Sequence, residues 1–254
     1  MSTHYDVTRV HWFYTVWPFI GLGAAIVLVA VLLWTDAFRS NLKVSRWRDL
    51  VWLAWLATPL YLVHQFEEYS LQTLGFDYSI QDMISQKMGF PPYPDSPIPL
   101  AFYPIVNIGL MWFGAPLSAY ISRRNILLGL SFWGLIFANG IVHTLGGIAS
   151  GAYNTGLWSS VFLFIPLSVW VIYATAIRGP YSGKVVGVAF AAGAFTHAFL
   201  FLGYGLYKAG VFGNTGLLVH AAVVSFTPLI LASFACPLFK PQSLRPVSAL
   251  QGST

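Results

Sequence analysis

Long apolar runs separated by short polar gaps dominate the chain. Seven of them, near residues 13–35, 50–71, 98–121, 125–149, 156–178, 185–208 and 214–238, each reach the about 20 residues needed to cross a hydrocarbon core about 30 Å thick. Separated runs of this kind satisfy their backbone hydrogen bonds in lipid only as α-helices. The pattern therefore predicts an all-α fold: one polytopic domain over 1–254, a bundle of seven transmembrane helices. Pro18, Pro59, Pro104, Pro116, Pro166 and Pro228 fall in or near these runs, where proline bends a membrane helix rather than ending it. No soluble-type repeat and no low-complexity tract interrupts the pattern.

The longest polar gap, about 72–97, closes with Gly89-Phe90-Pro91-Pro92-Tyr93-Pro94 and two further prolines. Prolines favour an extended, semi-rigid path, whereas Met83, Ile84, Met88 and Phe90 suit a segment resting on the membrane surface. The gap reads equally as a linker and as a lid over an outward-facing site.

Composition agrees with the pattern: of 254 residues 57% are hydrophobic and 8% charged, against about 25% charged in soluble domains. The net charge of +5 does not indicate nucleic acid, because the basic residues lie scattered in the gaps. Arg39, Lys43, Arg46, Arg48, Arg123, Arg124, Arg178, Lys184, Lys240 and Arg245 fall on one side of a seven-span layout; Arg9, Lys87 and Lys208 fall on the other. The positive-inside rule then places the N-terminus outside and the C-terminus in the cytoplasm. The start of the chain lacks a cleavable-signal pattern, since Arg9 precedes a run too long for an h-region. A lone Cys236 leaves no intrachain disulfide and no cysteine metal site.

Within this greasy chain the polar residues of the spans carry the chemistry. His64, His143, His197 and His220 lie in four different predicted spans. Counted from the outer ends at about 1.5 Å per residue, all four sit roughly 9–17 Å below the outer boundary. Ionisable groups at such depth are costly and mark function. Glu67 and Glu68, the only glutamates of the chain, follow His64 at i+3 and i+4 and share its helix face. No Lys or Arg of the spans lies at that depth to neutralise them. A transition metal is the economical counter-charge, and four imidazoles with two carboxylates suit one or two zinc or iron ions. Asn139 precedes His143 by one turn and can orient an imidazole or contact a substrate; Tyr61 and Tyr69 flank the glutamates as possible donors. His4 and His11 read as solvated or interfacial. Gly146, Gly147, Gly151, Gly203 and Gly205 read as helix-packing positions, and Gly21-Leu22-Gly23 opens no phosphate loop because no strand precedes it. Most tryptophans and tyrosines fit interfacial belts.

The stretch His64-Gln-Phe-Glu-Glu68 resembles the His-x-x-Glu-Glu signature of the HXXEE family of bacterial multi-pass membrane proteins. Asn139-Gly-Ile-Val-His143 is similar to that family's later Asn/His element. The resemblance implies a shared site at His64, Glu67, Glu68, Asn139 and His143 in a bacterial inner membrane, with no reaction assigned.

Two enzyme chemistries fit this site. One is a zinc hydrolase with a glutamate as general base; the other is a di-iron oxidoreductase with the adjacent glutamates as bridges. Either would act on a lipid or small hydrophobic molecule reaching the outer half of the bilayer. Glu67, Glu68 and Asn139 are then the candidate catalytic residues, and His64, Glu67, Glu68, His143, His197 and His220 the candidate ligands. Alternatives are a haem- or pigment-binding subunit of a larger assembly, which leaves the glutamate pair unexplained, and a proton- or cation-coupled transporter. Oligomerisation is open.

Overall fold

A computed structural model of the chain describes residues 12–235. His4, His11, Arg9, Cys236, Lys240, Arg245 and the end of the seventh predicted run lie outside the described residues. Among those described the chain is all helical, with no strand. The helices are α1 (Trp12–Trp34), α2 (Leu50–Ser70), α3 (Ile80–Lys87), α4 (Phe102–Ile121), α5 (Ile126–Ser150), α6 (Leu157–Ile177), α7 (Gly183–Lys208), α8 (Asn214–Val224) and α9 (Thr227–Ala235).

The molecule is a membrane-type bundle, but by length and composition the span count falls short of seven. Five helices, α1, α4, α5, α6 and α7, are long and apolar enough to cross a bilayer. A sixth span results if α8 and α9, bent by 49° at Ser225-Phe226, count as one. The helix that falls short is α2. Its 21 residues suffice in length, but His64, Gln65, Glu67 and Glu68 in its last two turns cost it the apolar character of its neighbours. The residues that build the site are the ones that make α2 less apolar than the other long helices.

Local chemistry explains the helix ends and irregularities. Asp49 starts α2 by accepting from the N–H groups of Val51 and Trp52 at 3.1 and 3.2 Å, satisfying two orphan donors of the first turn. Asn125 does the same for α5 through Leu127 N. Two π-helical stretches, Gly109–Gly114 and Ser160–Phe164, precede Pro116 and Pro166. A proline inside a helix removes one donor and crowds the carbonyl four residues back, and the wider π turn accommodates both without ending the helix. Pro228, one residue into α9, marks the bend from α8. A third π stretch, Tyr173–Ile177, has no such proline, and nothing in the structure explains it.

The centre of the bundle is α5, whose most apolar window is 78% buried, while α1 is peripheral at 28%. Helix α5 meets α7 backbone to backbone: a Cβ on Gly193 would lie 2.0 Å from Leu135 N, and one on Gly134 would lie 2.5 Å from Phe190 Cα. Against α2, a Cβ on Gly129 would lie 2.6 Å from Ala54 Cβ. In lipid, where apolar burial gives no preference for helix over lipid, such small-residue contacts supply the packing.

The 72–97 connection is neither an extended linker nor structureless. It contains α3, capped by Ser79 Oγ on Asp82 N at 3.2 Å and tied down by Ser85 Oγ to Pro91 O and Ser96 Oγ at 2.6 and 2.7 Å. Tyr93, in the same connection, donates its hydroxyl to Ile98 O at 2.6 Å; burial pushes that hydroxyl up to about 12.

Candidate metal centre

Three residues on two helices converge. His64 and Glu68 stand one turn apart on α2, and His143 faces them from α5. His64 Nε2 lies 3.4 Å and His143 Nε2 3.0 Å from the same oxygen, Glu68 Oε1. All three residues are buried, at 0%, 7% and 8% exposure. One donor atom from each lies within 4.8 Å of the other two.

The far side of each imidazole sets its tautomer. Asn154 donates its side-chain NH₂ to His143 O at 3.0 Å, which turns its Oδ1 toward the ring. His143 Nδ1–H therefore donates to Asn154 Oδ1 at 3.0 Å, and the Nε2 lone pair points inward. Around His64 the reasoning runs through Ser159, whose Oγ–H and backbone N–H both go to Glu67 Oε2. With its one proton so committed, Ser159 Oγ accepts from His64 Nδ1–H at 2.7 Å, and His64 Nε2 also points its lone pair inward. Two lone pairs thus meet one carboxylate oxygen in a space closed to bulk water. Asn139 Nδ2 stands within donating distance of His64 Nε2, but the 3.0 Å contact between His143 Nε2 and Glu68 Oε1 needs a proton or a cation between its two acceptors.

The other predicted residues take different places. Glu67 is not turned into the cluster. Its carboxylate accepts four hydrogen bonds, from Tyr153 Oη at 2.8 Å, Trp158 N at 2.9 Å, Ser159 N at 2.8 Å and Ser159 Oγ. Its position at the start of α6 also favours negative charge, because the first N–H groups of a helix are unpaired. Burial and the Glu67 carboxylate hold the Tyr153 hydroxyl above the usual tyrosine range, so it stays a donor. Asn139 Nδ2 donates to Tyr61 Oη at 2.6 Å and lies 3.3 Å from His64 Nε2, next to the cluster as its spacing predicts. Neither Tyr61 nor Tyr69 hydrogen bonds to a glutamate; their hydroxyl oxygens accept from Asn139 Nδ2 and Asn107 Nδ2 instead. His197 lines the same cavity as Glu68 and His143 without joining the three-residue group. His220, placed among the ligands by depth alone, is apart from them. Its Nε2 is bonded to Phe199 O at 2.9 Å and its ring sits on Gly203, where a Cβ would come within 2.1 Å of it. Equal depth does not fix the direction a side chain takes around its helix.

Four participants were not legible beforehand: Tyr153, Asn154, Gly156 and Ser159, all in or beside the α5–α6 turn. Gly156 has φ +87°, and a Cβ there would lie 2.6 Å from His64 Cε1 and 2.9 Å from His143 Cε1. Both the backbone and the space demand glycine, so the turn folds flat over the two imidazoles. The available signal was the loop Tyr153-Asn-Thr-Gly156, turn-forming residues one connection beyond His143.

Beside the cluster lies a cavity of about 180 Å³ lined by Tyr61, Glu68, Asn139, His143 and His197, with mainly apolar side chains beyond them. Residues of α3 line it too, so the 72–97 connection forms part of its wall. No curated protein and no solved structure matches the chain. Residues 55–171, which carry α5, the α5–α6 turn and the site half of α2, match the sequence model of the HXXEE family, described as proteins of unknown function with an HXXEE motif.

Proposed function

We propose that the protein is a membrane-embedded metalloenzyme holding a single transition-metal ion on His64, Glu68 and His143. The observation that carries this reading is the pair of inward Nε2 lone pairs around Glu68 Oε1. Asn139 Nδ2 can donate to His64 Nε2 at 3.3 Å and a proton on His143 would satisfy its contact with Glu68, but one divalent ion answers all three groups at once. Two histidines and one carboxylate with a cavity alongside match sites that keep a coordination position open, as in zinc peptidases and mononuclear iron oxygenases. Such an ion supplies Lewis acidity and, as zinc, brings a coordinated water to a pKa of about 7.

The chain's own residues do the rest. The Glu67–Ser159 pair and Asn154 hold the imidazoles in the ligating tautomer, a role that outer hydrogen bonds commonly serve. Asn139 and Tyr61, bonded to each other at the cavity edge, orient a polar group of the substrate. With Glu67 committed to α6, only one carboxylate faces the cluster, which favours one ion over a di-iron pair, since di-iron bundles gather several carboxylates. A cavity of about 180 Å³ also argues against haem, being below the ~300–1,000 Å³ of drug-sized ligand sites. Zinc hydrolysis and iron redox chemistry both fit; the small, mostly apolar cavity favours a short hydrophobic or amphiphilic substrate in either case.

The same reading makes α2 a membrane span despite its polar end, because its polar side chains are turned into the bundle. That gives seven spans with α8 and α9 as one, and the distribution of Lys and Arg sets the N-terminus outside and the site in the outer half of the bilayer.

Metal analysis of the purified full chain tests the proposal: about one equivalent of zinc or iron, reduced to background in Glu68→Gln and His143→Ala but retained in His220→Ala. Full retention of metal in Glu68→Gln and His143→Ala, or a metal-free parent with a Soret band, would overturn it.

A further inference from the structure

The cavity has a chemical gradient along it. At its inner end are Glu68 and His143. The face of α3 that lines it is Ile80, Met83, Ile84 and Lys87, spaced i, i+3, i+4, i+7 as one helical stripe. Helix α7 contributes a second stripe that includes His197, Phe201 and Tyr204, and the next position on that face, one turn on, is Lys208. Beyond His197 both stripes are apolar or aromatic until their last turn, where each ends in a lysine.

Lys87 lines the cavity, and Lys208, which does not, reaches the turn just after Lys87. Lys208 Nζ would be 3.3 Å from a Cβ on Gly89, two residues beyond Lys87, and Phe90 meets the ring of Tyr207 at 6.2 Å. The turn after α3 is thereby seated on the end of α7. Neither lysine makes an ion pair or hydrogen bond among the described residues, and both are exposed. Tyr204, 3% exposed and lining the cavity, likewise makes no hydrogen bond among the described residues. A buried hydroxyl is ordinarily paired, so Tyr204 is a free donor for whatever enters. Two more lining residues, Val142 on α5 and Phe201 on α7, are 45% and 52% exposed, so the cavity also opens sideways between these helices, toward lipid in a bilayer-embedded bundle.

We propose that this cavity takes a small amphiphile with an acidic head, a carboxylate or phosphate held by Lys87 and Lys208, whose short apolar body passes Tyr204 toward His143 and Glu68. A side opening admits the apolar part directly from the membrane, while the two lysines keep the head at the outer surface. The proposal rests on the reading of the site as a metalloenzyme only for the fate of the inner end. The choice of head is set by the two lysines and is independent of metal.

Isothermal titration of the full chain in phosphatidylcholine nanodiscs, with octanoate, octyl phosphate and octanol as probes and protein-free discs as blank, tests it. The acidic probes are expected to bind saturably and about tenfold more tightly than octanol. Lys87→Met/Lys208→Met should erase that preference and Lys87→Arg/Lys208→Arg should keep it. His143→Ala should lose metal yet keep the preference, which separates this proposal from that of the metal centre. Displacement of octanoate when phosphatidylglycerol is added to the discs identifies the head as a membrane phospholipid's; no displacement identifies a free amphiphilic acid. Equal affinity for octanoate and octanol, no saturable binding, or an unchanged preference in the double methionine variant would overturn the assignment.

Discussion

Ser159 shows how much a single hydroxyl decides. By giving its proton to Glu67 and taking one from His64 Nδ1, it converts a remote carboxylate into a constraint on an imidazole tautomer. Removing such outer partners typically weakens metal affinity by about 10–100-fold. Ser159→Ala should therefore bind metal about 10–100-fold more weakly in chelator competition while keeping its fold; an unchanged affinity would mean that His64 is oriented by other contacts. Glu67→Gln is a harsher change, because four donors meet that side chain, two at each oxygen, and an amide NH₂ confronts two of them with another donor. Leaving a buried donor unpaired costs about 1–3 kcal/mol, so the thermal midpoint should fall along with metal affinity. Metal should nevertheless persist at saturating concentration, unlike in Glu68→Gln. The two neighbouring glutamates, equivalent in spacing arguments, are separated by this test.

Among the elements, the α5–α6 turn matters more than its length suggests. It supplies Tyr153, Asn154 and Gly156, and it delivers Ser159 at the start of α6. Gly156→Ala would force a side chain into the left-handed region, at roughly 1–2 kcal/mol, and would also drive a methyl against His64. Gly151 offers the control: its φ is +62° but a Cβ there meets nothing within 4 Å. Gly151→Ala should lower the thermal midpoint modestly and leave metal content intact, whereas Gly156→Ala should lower both. Equal metal content in the two variants would show that the turn does not shape the centre. At the next level of packing, Gly193→Leu should disrupt the α5–α7 contact, since even a Cβ there would sit 2.0 Å from Leu135 N.

At the scale of the whole molecule, the arrangement to test is topology. In a Cys236→Ser background, a cysteine at Asp95 in the connection that carries α3 should react with a membrane-impermeant maleimide on spheroplasts. One at Leu42, 67% exposed between α1 and α2, should react only after permeabilisation. The reverse pattern would invert the orientation inferred from Lys and Arg and place the centre near the cytoplasm.

What the sequence determined by itself follows from properties that need no partner. Hydrophobic run length is enough for a helical membrane bundle, because lipid leaves the backbone no other solution. Spacing along one helix puts His64 beside Glu68, and Asn139 beside His143. Those two pairs are the parts of the site that the i+4 rule alone could establish. Tertiary structure decided everything that depends on rotation about a helix axis or on contacts between helices. It placed Glu67 on the start of α6 instead of in the cluster, turned His220 to the carbonyl of Phe199, left His197 on the cavity wall, and brought the Gly156 turn over both imidazoles. Depth in a membrane is nearly a one-dimensional quantity and can be counted along a chain. Direction around a helix is set by neighbours such as Gly193 and Gly203, whose missing side chains let other groups approach, and no spacing rule records them.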